Sequence, residues 1–104
     1  MNLFQRMVSG AQDEDYKTLV KEGAVIIDVR SKAEFEGGHV KGAVNIPLDT
    51  LPSSLTKLGG TKSVIITCCA SGGRSGMAKS FLEKEGYAHV HNGGGWLALQ
   101  KKLQ

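Results

Sequence analysis

The sequence has no long apolar run, and its N-terminal segment contains no uninterrupted apolar core. No window approaches the roughly 20 apolar residues that a membrane-spanning helix requires, and the N-terminus does not resemble a secretory signal. The sequence therefore predicts a cytoplasmic protein that does not contact a membrane. The mature form of an exported protein would have the same features.

Cysteine is scarce, because the 104 residues contain only Cys68 and Cys69. Adjacent cysteines almost never form a relaxed disulfide, since their Cα atoms lie too close together. They also have the wrong spacing for zinc, and no second pair completes a set of four ligands. His89 and His91 lack neighbouring carboxylates or thiolates and are interpreted as surface or packing residues. We therefore expect no metal and no cofactor.

Acidic residues are absent between Thr50 and Leu82, although the whole chain carries a net charge of only +3. The basic residues of this span are Lys57, Lys62, Arg74 and Lys79. The local field around Cys69 should therefore favour anions, including a thiolate. The dense basic and aromatic clusters typical of nucleic-acid binding are missing, so no nucleic-acid partner is expected.

Short apolar segments alternate with helical patterns along the chain. The strand patterns are AVIID, ending at Asp28; GAVNIP, ending at Pro47; KSVIITC, directly before Cys69; and AHVHN, ending at Asn92. Five helical patterns lie before, between and after these strands. The first is an N-terminal helix with Ser9 and Gln12 in capping-box spacing, and the second is a turn over Ala33 to Glu36. The other three are a helix with Leu51, Leu55 and Leu58, a helix with an apolar stripe of Met77, Ala78, Phe81 and Leu82, and a terminal helix whose Trp96, Leu99 and Leu103 face inward. Three glycines before Trp96 are interpreted as a turn.

This alternation predicts one α/β domain over residues 1–104. We expect a mostly parallel sheet of about five short strands, with helices on both faces. Functional sites in such sheets gather at the carboxyl ends of the strands. The residues predicted at that edge are Asp28, Asn45, Cys69 and Asn92.

The segment CASGGRS, from Cys69 to Ser75, connects the strongest strand pattern to a helix. Successive amides in such a turn can form an anion-binding nest, and glycine at Gly72 and Gly73 permits close backbone approach. Ser75 is the expected N-cap of the helix. A thiol at the mouth of this loop, with Arg74 nearby, is expected to have a lowered pKa and to be nucleophilic.

The two cysteines should behave differently. Side chains alternate along a strand, so Cys68 is expected to face away from the loop, toward the packing. A buried cysteine usually acts as a small apolar residue. Cys69 is therefore the candidate catalytic residue, and a resolving role for Cys68 is the weaker alternative.

The CASGGRS loop resembles the active-site loop of the rhodanese-type sulfurtransferases, in which a cysteine precedes a glycine-rich turn that closes on Arg-Ser. The upstream segment IIDVRSKAEFEGGHVKGAVNIPL (Ile26 to Leu48) is similar to a second signature of that family. GYAHVHNGGGW, near the C-terminus, resembles the final strand and glycine-rich turn. Together the three segments extend the resemblance from about Ser9 to Trp96.

The resemblance implies a rhodanese-like fold and transfer of sulfane sulfur through a persulfide on Cys69. The implied partners are a small anionic donor such as thiosulfate, an acceptor such as cyanide or a thiol, and a sulfur-relay protein. The implied loop residues are Ala70, Ser71, Gly72, Gly73, Arg74 and Ser75. Arg74 would orient the donor or brace the loop. Asp28 and Arg30 would form an interior supporting pair, and Glu34 and His39 would brace the preceding segment. Independently of the resemblance, Asp28 is the only acid predicted near that sheet edge, which makes it a candidate to hold loop amides.

Two other functions are compatible with this fold. The related dual-specificity phosphatases also use a loop cysteine and an arginine, but their loop is one residue longer than the stretch from Ala70 to Gly73. A shorter ring of amides suits one sulfur atom better than a phosphoryl group. A non-catalytic docking module is the other alternative, and such modules typically lack the cysteine. The sequence therefore favours sulfur transfer.

Overall fold

The computed structural model describes residues 15–104, and its centre is a single sheet. The strands are β1 (Val25–Asp28), β2 (Val44–Asn45), β3 (Val64–Cys69) and β4 (His89–Gly95). Their order is β2-β1-β3-β4, and all neighbouring pairs are parallel. The predicted α/β class and mostly parallel sheet are confirmed, with four strands in the described region where about five were expected.

Helices connect the strands. They are α1 (Tyr16–Lys21), α2 (Lys32–Glu36), α3 (Gly73–Lys84) and α4 (Trp96–Leu103), with 3-10 helices at Leu48–Ser53 and Leu55–Leu58. The predicted cap at Ser9 and Gln12 lies outside the described residues. Within residues 15–104, no helix combines the length and the apolar character needed to cross a bilayer.

The two faces of the sheet are covered by different helices. One buried cluster joins β1 and β3 to α3 and the 3-10 helices, and it includes Ile27, Ile65, Cys69, Ala78 and Leu82. The other joins the same strands to α1 and α4, and it includes Leu19, Ile26, Ile66, Cys68 and Leu99. Neighbouring residues of β1 and β3 alternate between the clusters, as side chains on a strand must. Helices on both faces are therefore confirmed, and the two cysteines lie on opposite faces.

The structure corrects the prediction of one helix through Leu51, Leu55 and Leu58. Two 3-10 helices occupy this segment, and they meet at Ser54, whose backbone angles (φ −117°, ψ 13°) are not helical. Pro52 lies inside the first helix. Because proline has no N–H, it removes a hydrogen bond that an α-helix would need at this point.

The buried side of α3 and the end of β4 also differ from the prediction. Met77 is 64% exposed, so the buried side of α3 is formed by Ala78 and Leu82 instead of the full predicted stripe. The three glycines before Trp96 belong to β4 and do not form a separate turn. Strand β4 therefore runs on beside the end of β3, where Cys69 lies.

Candidate active site

Cys69 is the last residue of β3, and α3 begins four residues later at Gly73. Gly72 is the N-cap, with φ +105°, a conformation that residues with a Cβ rarely adopt. The prediction that Ser75 is the N-cap is therefore wrong, because Gly72 starts the helix earlier. Ser75 instead lies in the first turn, and its hydroxyl is 3.1 Å from the Gly72 carbonyl oxygen.

The Cys69 sulfur lies inside this turn, and the residue is only 1% exposed. Its Sγ is 3.0 Å from the Gly72 amide nitrogen and 3.4 Å from that of Ser75. The hydroxyl oxygen of Ser75 is also 3.4 Å away. The predicted loop thus brings backbone N–H groups at the start of α3 onto one sulfur atom, an arrangement that stabilises negative charge.

These contacts determine the acidity of the Cys69 thiol. Burial, the largest single influence, raises its pKa. Hydrogen bonds from the Ser75 hydroxyl and amide, followed by those from the amides of Gly72 and Ser71, outweigh burial, and the net pKa is lowered. A lowered pKa increases the fraction of nucleophilic thiolate at neutral pH.

The thiol of Cys68 has a raised pKa, in contrast to that of Cys69. It is fully buried on the other face of the sheet. Burial, reinforced by the charge of Asp28 and opposed by that of Arg30, raises the pKa of its thiol to about 12. Cys68 therefore stays protonated and unreactive at neutral pH.

Arg74 pairs with Glu34 of α2. Its two terminal nitrogens lie 2.7 Å and 3.0 Å from the Glu34 carboxylate oxygens, a bidentate contact. This contact, followed by the Ser31 backbone N–H, lowers the pKa of Glu34 to about 2. The pair ties the loop to α2 throughout the neutral range. Nearby, His39 stacks on Phe35 at a ring-centroid distance of 3.7 Å.

Asp28 and Arg30 form a buried ion pair away from Cys69. The Asp28 carboxylate accepts hydrogen bonds from the backbone nitrogen, Nε and Nη2 of Arg30, the last at 2.7 Å. Arg30 also lies over the Trp96 ring, 4.8 Å from its centroid. Asp28 therefore does not hold amides of the Cys69 loop, which corrects that part of the prediction. Strand alternation places its side chain on the Cys68 face.

Asn92 is a site residue to which the sequence assigned no role beyond the sheet edge. Its Oδ1 lies 2.6 Å from the Ser75 hydroxyl oxygen and 2.9 Å from the Gly94 amide nitrogen. Its Nδ2 donates to the Gly72 carbonyl at 3.3 Å. The available signal was a polar residue following an apolar strand pattern, but Ser75 could not be identified as its partner from the sequence. Asn45, at the same edge, instead donates to the carbonyls of Asp28 and Arg30.

The glycines of β4 allow the strand to lie against the end of β3 and the loop. A Cβ on Gly95 would come within 2.8 Å of the Ala70 carbonyl oxygen. A Cβ on Gly93 would come within 2.9 Å of the Thr67 carbonyl oxygen. Both distances are too short for real contacts, so only glycine fits without a backbone shift.

Gly95→Ala should therefore destabilise the fold by about 1–3 kcal/mol, because the new methyl group overpacks against immobile backbone. The measurement is urea unfolding of the purified variant. Gly60→Ala is the matched control, since a Cβ there meets nothing within 4 Å. It should change stability by less than about 0.5 kcal/mol. Equal effects of the two substitutions would contradict the close approach of β4.

A family model for the rhodanese-like domain matches residues 12–102. The chain belongs to the rhodanese-like domain family. Its predicted resemblance to rhodaneses is thereby confirmed, as is the fold.

Relatives of this rhodanese-like domain include proteins named for sulfur transfer. The chain is 39% identical over 70 residues to the thiosulfate sulfurtransferase PspE of Escherichia coli, covering 66% of this chain and 67% of that protein. It is 38% identical over 88 residues to YqhL of Bacillus subtilis, covering 85% of this chain and 68% of that protein. A solved E. coli rhodanese with anions superposes with a TM-score of 0.69 at 36% identity, covering 72% of this chain and 89% of that one.

Proposed function

We propose that this rhodanese-like domain is a sulfurtransferase that carries sulfane sulfur as a persulfide on Cys69. The observation that carries the proposal is the Cys69 sulfur, held 3.0 Å from the Gly72 amide and 3.4 Å from the Ser75 amide at the start of α3. A relative named thiosulfate sulfurtransferase supports thiosulfate as the donor. The acceptor is cyanide or a thiol.

The reaction has two halves, as expected for covalent catalysis. In the first, the Cys69 thiolate attacks the outer sulfur of thiosulfate. A bond forms between Sγ and that sulfur, the sulfur–sulfur bond of thiosulfate breaks, and its electron pair leaves with sulfite. In the second half, cyanide attacks the terminal sulfur and leaves as thiocyanate, which regenerates the thiolate. Charge balances in both halves, and no electron is supplied from outside.

The loop stabilises the charge that moves during these steps. The persulfide carries its negative charge on the terminal sulfur, where N–H groups of the loop from Ala70 to Ser75 can receive it. A cavity of about 350 Å³ beside the loop is lined by Val29, Ser31, Pro47, Leu48, Asp49 and Arg74. Its charged side chains are Arg74, which is paired with Glu34, and Asp49. The donor proposed for this space is a small anion or the persulfide of a sulfur-relay protein.

Intact-protein mass spectrometry after incubation with thiosulfate tests the proposal. We expect the wild type to gain the mass of one sulfur atom and to lose it again, with release of thiocyanate, when cyanide is added. The Cys68→Ala variant should do the same. No gain with thiosulfate, nor with a low-molecular-weight persulfide, would overturn the proposal and favour a phosphatase or docking role.

A further inference from the structure

The hydroxyl group of Ser75 has three neighbours that can accept its single proton. The residue is fully buried, so water does not compete. Its oxygen lies 2.6 Å from Asn92 Oδ1, 3.1 Å from the Gly72 carbonyl oxygen and 3.4 Å from the Cys69 sulfur. A hydroxyl has one donor and two acceptor positions. The proton can therefore satisfy only one strong acceptor at a time.

The orientation of the Asn92 amide is determined by its other contacts. Its oxygen accepts from the Gly94 N–H at 2.9 Å, and its nitrogen donates to the Gly72 carbonyl at 3.3 Å. The reverse orientation would bring donor against donor at Gly94 and acceptor against acceptor at Gly72. The amide oxygen therefore faces Ser75.

Two oxygens 2.6 Å apart require a proton between them, because their lone pairs would otherwise repel. When Cys69 is a thiol, the Ser75 proton lies toward Asn92, and the thiol S–H can donate to the Ser75 oxygen. When Cys69 is a thiolate, its charge attracts the same proton. Ser75 can then stabilise the sulfur only by giving up its hydrogen bond to Asn92.

We propose that Asn92 competes with Cys69 for the hydroxyl proton of Ser75 and thereby favours the states in which the Cys69 Sγ carries no charge. These states are the thiol and the persulfide. In the persulfide the charge lies on the terminal sulfur, so the Ser75 proton returns to Asn92. Asn92 is thus a positioning residue that shifts the equilibrium toward the sulfur-loaded form. This consequence for loading rests on the proposed function, whereas the competition for the proton does not.

Other ionisable groups around Cys69 stay the same in the test variants. On the loop side they are Arg74, paired with Glu34, and Asp49 of the first 3-10 helix. On the opposite face of the sheet they are Asp28, Arg30 and His91, and Cys68 is replaced by alanine in every variant compared. A shift in the Cys69 pKa between variants at Asn92 and Ser75 can therefore be attributed to the contacts of these two side chains.

The test measures the pKa of the Cys69 thiol from the pH dependence of its alkylation by iodoacetamide, in a Cys68→Ala background. The variants are Asn92→Ala, Ser75→Ala and the two combined. Asn92→Ala should lower the pKa by about one unit, because the released hydroxyl then has only the neutral Gly72 carbonyl oxygen, 3.1 Å away, to compete with the charged thiolate. In the Ser75→Ala background the same substitution should shift it by less than about 0.3 units.

A second measurement follows the loaded fraction. Thiosulfate and sulfite are both present, and the pH is above the Cys69 pKa of the wild type and of the variant. Under these conditions Asn92→Ala should lower the equilibrium constant for persulfide formation about tenfold, which corresponds to the same one-unit change in pKa. Asn92→Asp provides a variant with the opposite sign, since an ionised carboxylate holds the Ser75 proton more strongly and raises the Cys69 pKa.

The sign of the Asn92→Ala effect distinguishes this role from a purely structural one. If Asn92 only held the loop together, its loss would loosen the amides around Cys69 and raise the pKa toward that of an ordinary thiol. A rise, or an equal shift with and without the Ser75 hydroxyl, would overturn the proposal. If the pKa falls as expected but no variant forms a persulfide, the proposed function fails while the competition for the proton stands.

Discussion

Replacing Cys69 by serine should abolish sulfur loading and reduce the rate of thiocyanate formation at least about a thousandfold. Serine is a much weaker nucleophile at neutral pH, because a hydroxyl is far less acidic than a thiol and the loop lowers the pKa of the Cys69 thiol further. Serine also cannot form a persulfide. The measurement is turnover of thiosulfate and cyanide, followed by colorimetric detection of thiocyanate.

Cys68→Ala is the matched control for this loss, because the two cysteines are neighbours in sequence. Cys68 lies on the opposite face and has a pKa of about 12, so its removal should change kcat/KM by less than about threefold. Unfolding midpoints of both variants show whether either substitution damages the fold. Loss of activity in Cys68→Ala, with activity retained in Cys69→Ser, would reverse the assignment of the nucleophile.

Asp28→Ala should destabilise the protein by about 3–5 kcal/mol, a large part of the stability of a small domain. Asp28 is fully buried, and Arg30 is only 4% exposed. Without the carboxylate, the guanidinium keeps its contact with the Gly38 carbonyl oxygen at 2.7 Å but loses its neutralising charge. The measurement is urea unfolding followed by the fluorescence of Trp96.

Two comparisons make the Asp28 result specific. The double variant Asp28→Ala with Arg30→Met should be less destabilised than Asp28→Ala alone, because no unpaired charge remains buried. Lys79→Ala breaks the exposed pair with Glu83 and should cost less than about 1 kcal/mol. A cost below about 1 kcal/mol for Asp28→Ala would show that the ion pair contributes little to the fold.

The features that could be predicted from the sequence depend on local periodicity. The strand pattern before Cys69 places Cys68 and Cys69 on opposite faces, because side chains alternate wherever a strand is buried on both sides. The turn predicted over Ala33 to Glu36 is present as α2, and its capping box joins Ser31 and Glu34, three residues apart. Such short spacings act through the backbone alone, and so they can be seen before any tertiary contact is known.

The features that were missed depend on contacts between distant segments. The last three residues of β4 are glycines, and they are typical of a turn unless the Ala70 and Thr67 carbonyls lie beside them. Asn92 acquires a partner only because β4 lies next to the start of α3. The N-cap at Gly72 depends on a left-handed backbone that the motif permits but does not specify. These features follow from packing geometry, which spacing along the chain does not contain.

The residues that surround Cys69 come from segments that are synthesised at different times. Arg74 is held by Glu34, which lies 40 residues away in sequence, and Ser75 contacts Asn92, 17 residues further along. During synthesis Cys69 therefore emerges from the ribosome before β4, the segment that contains Asn92. Until β4 emerges and pairs with β3, the loop lacks the strand that lies behind it. The surroundings of Cys69 are therefore complete only once the growing polypeptide has folded past Gly95.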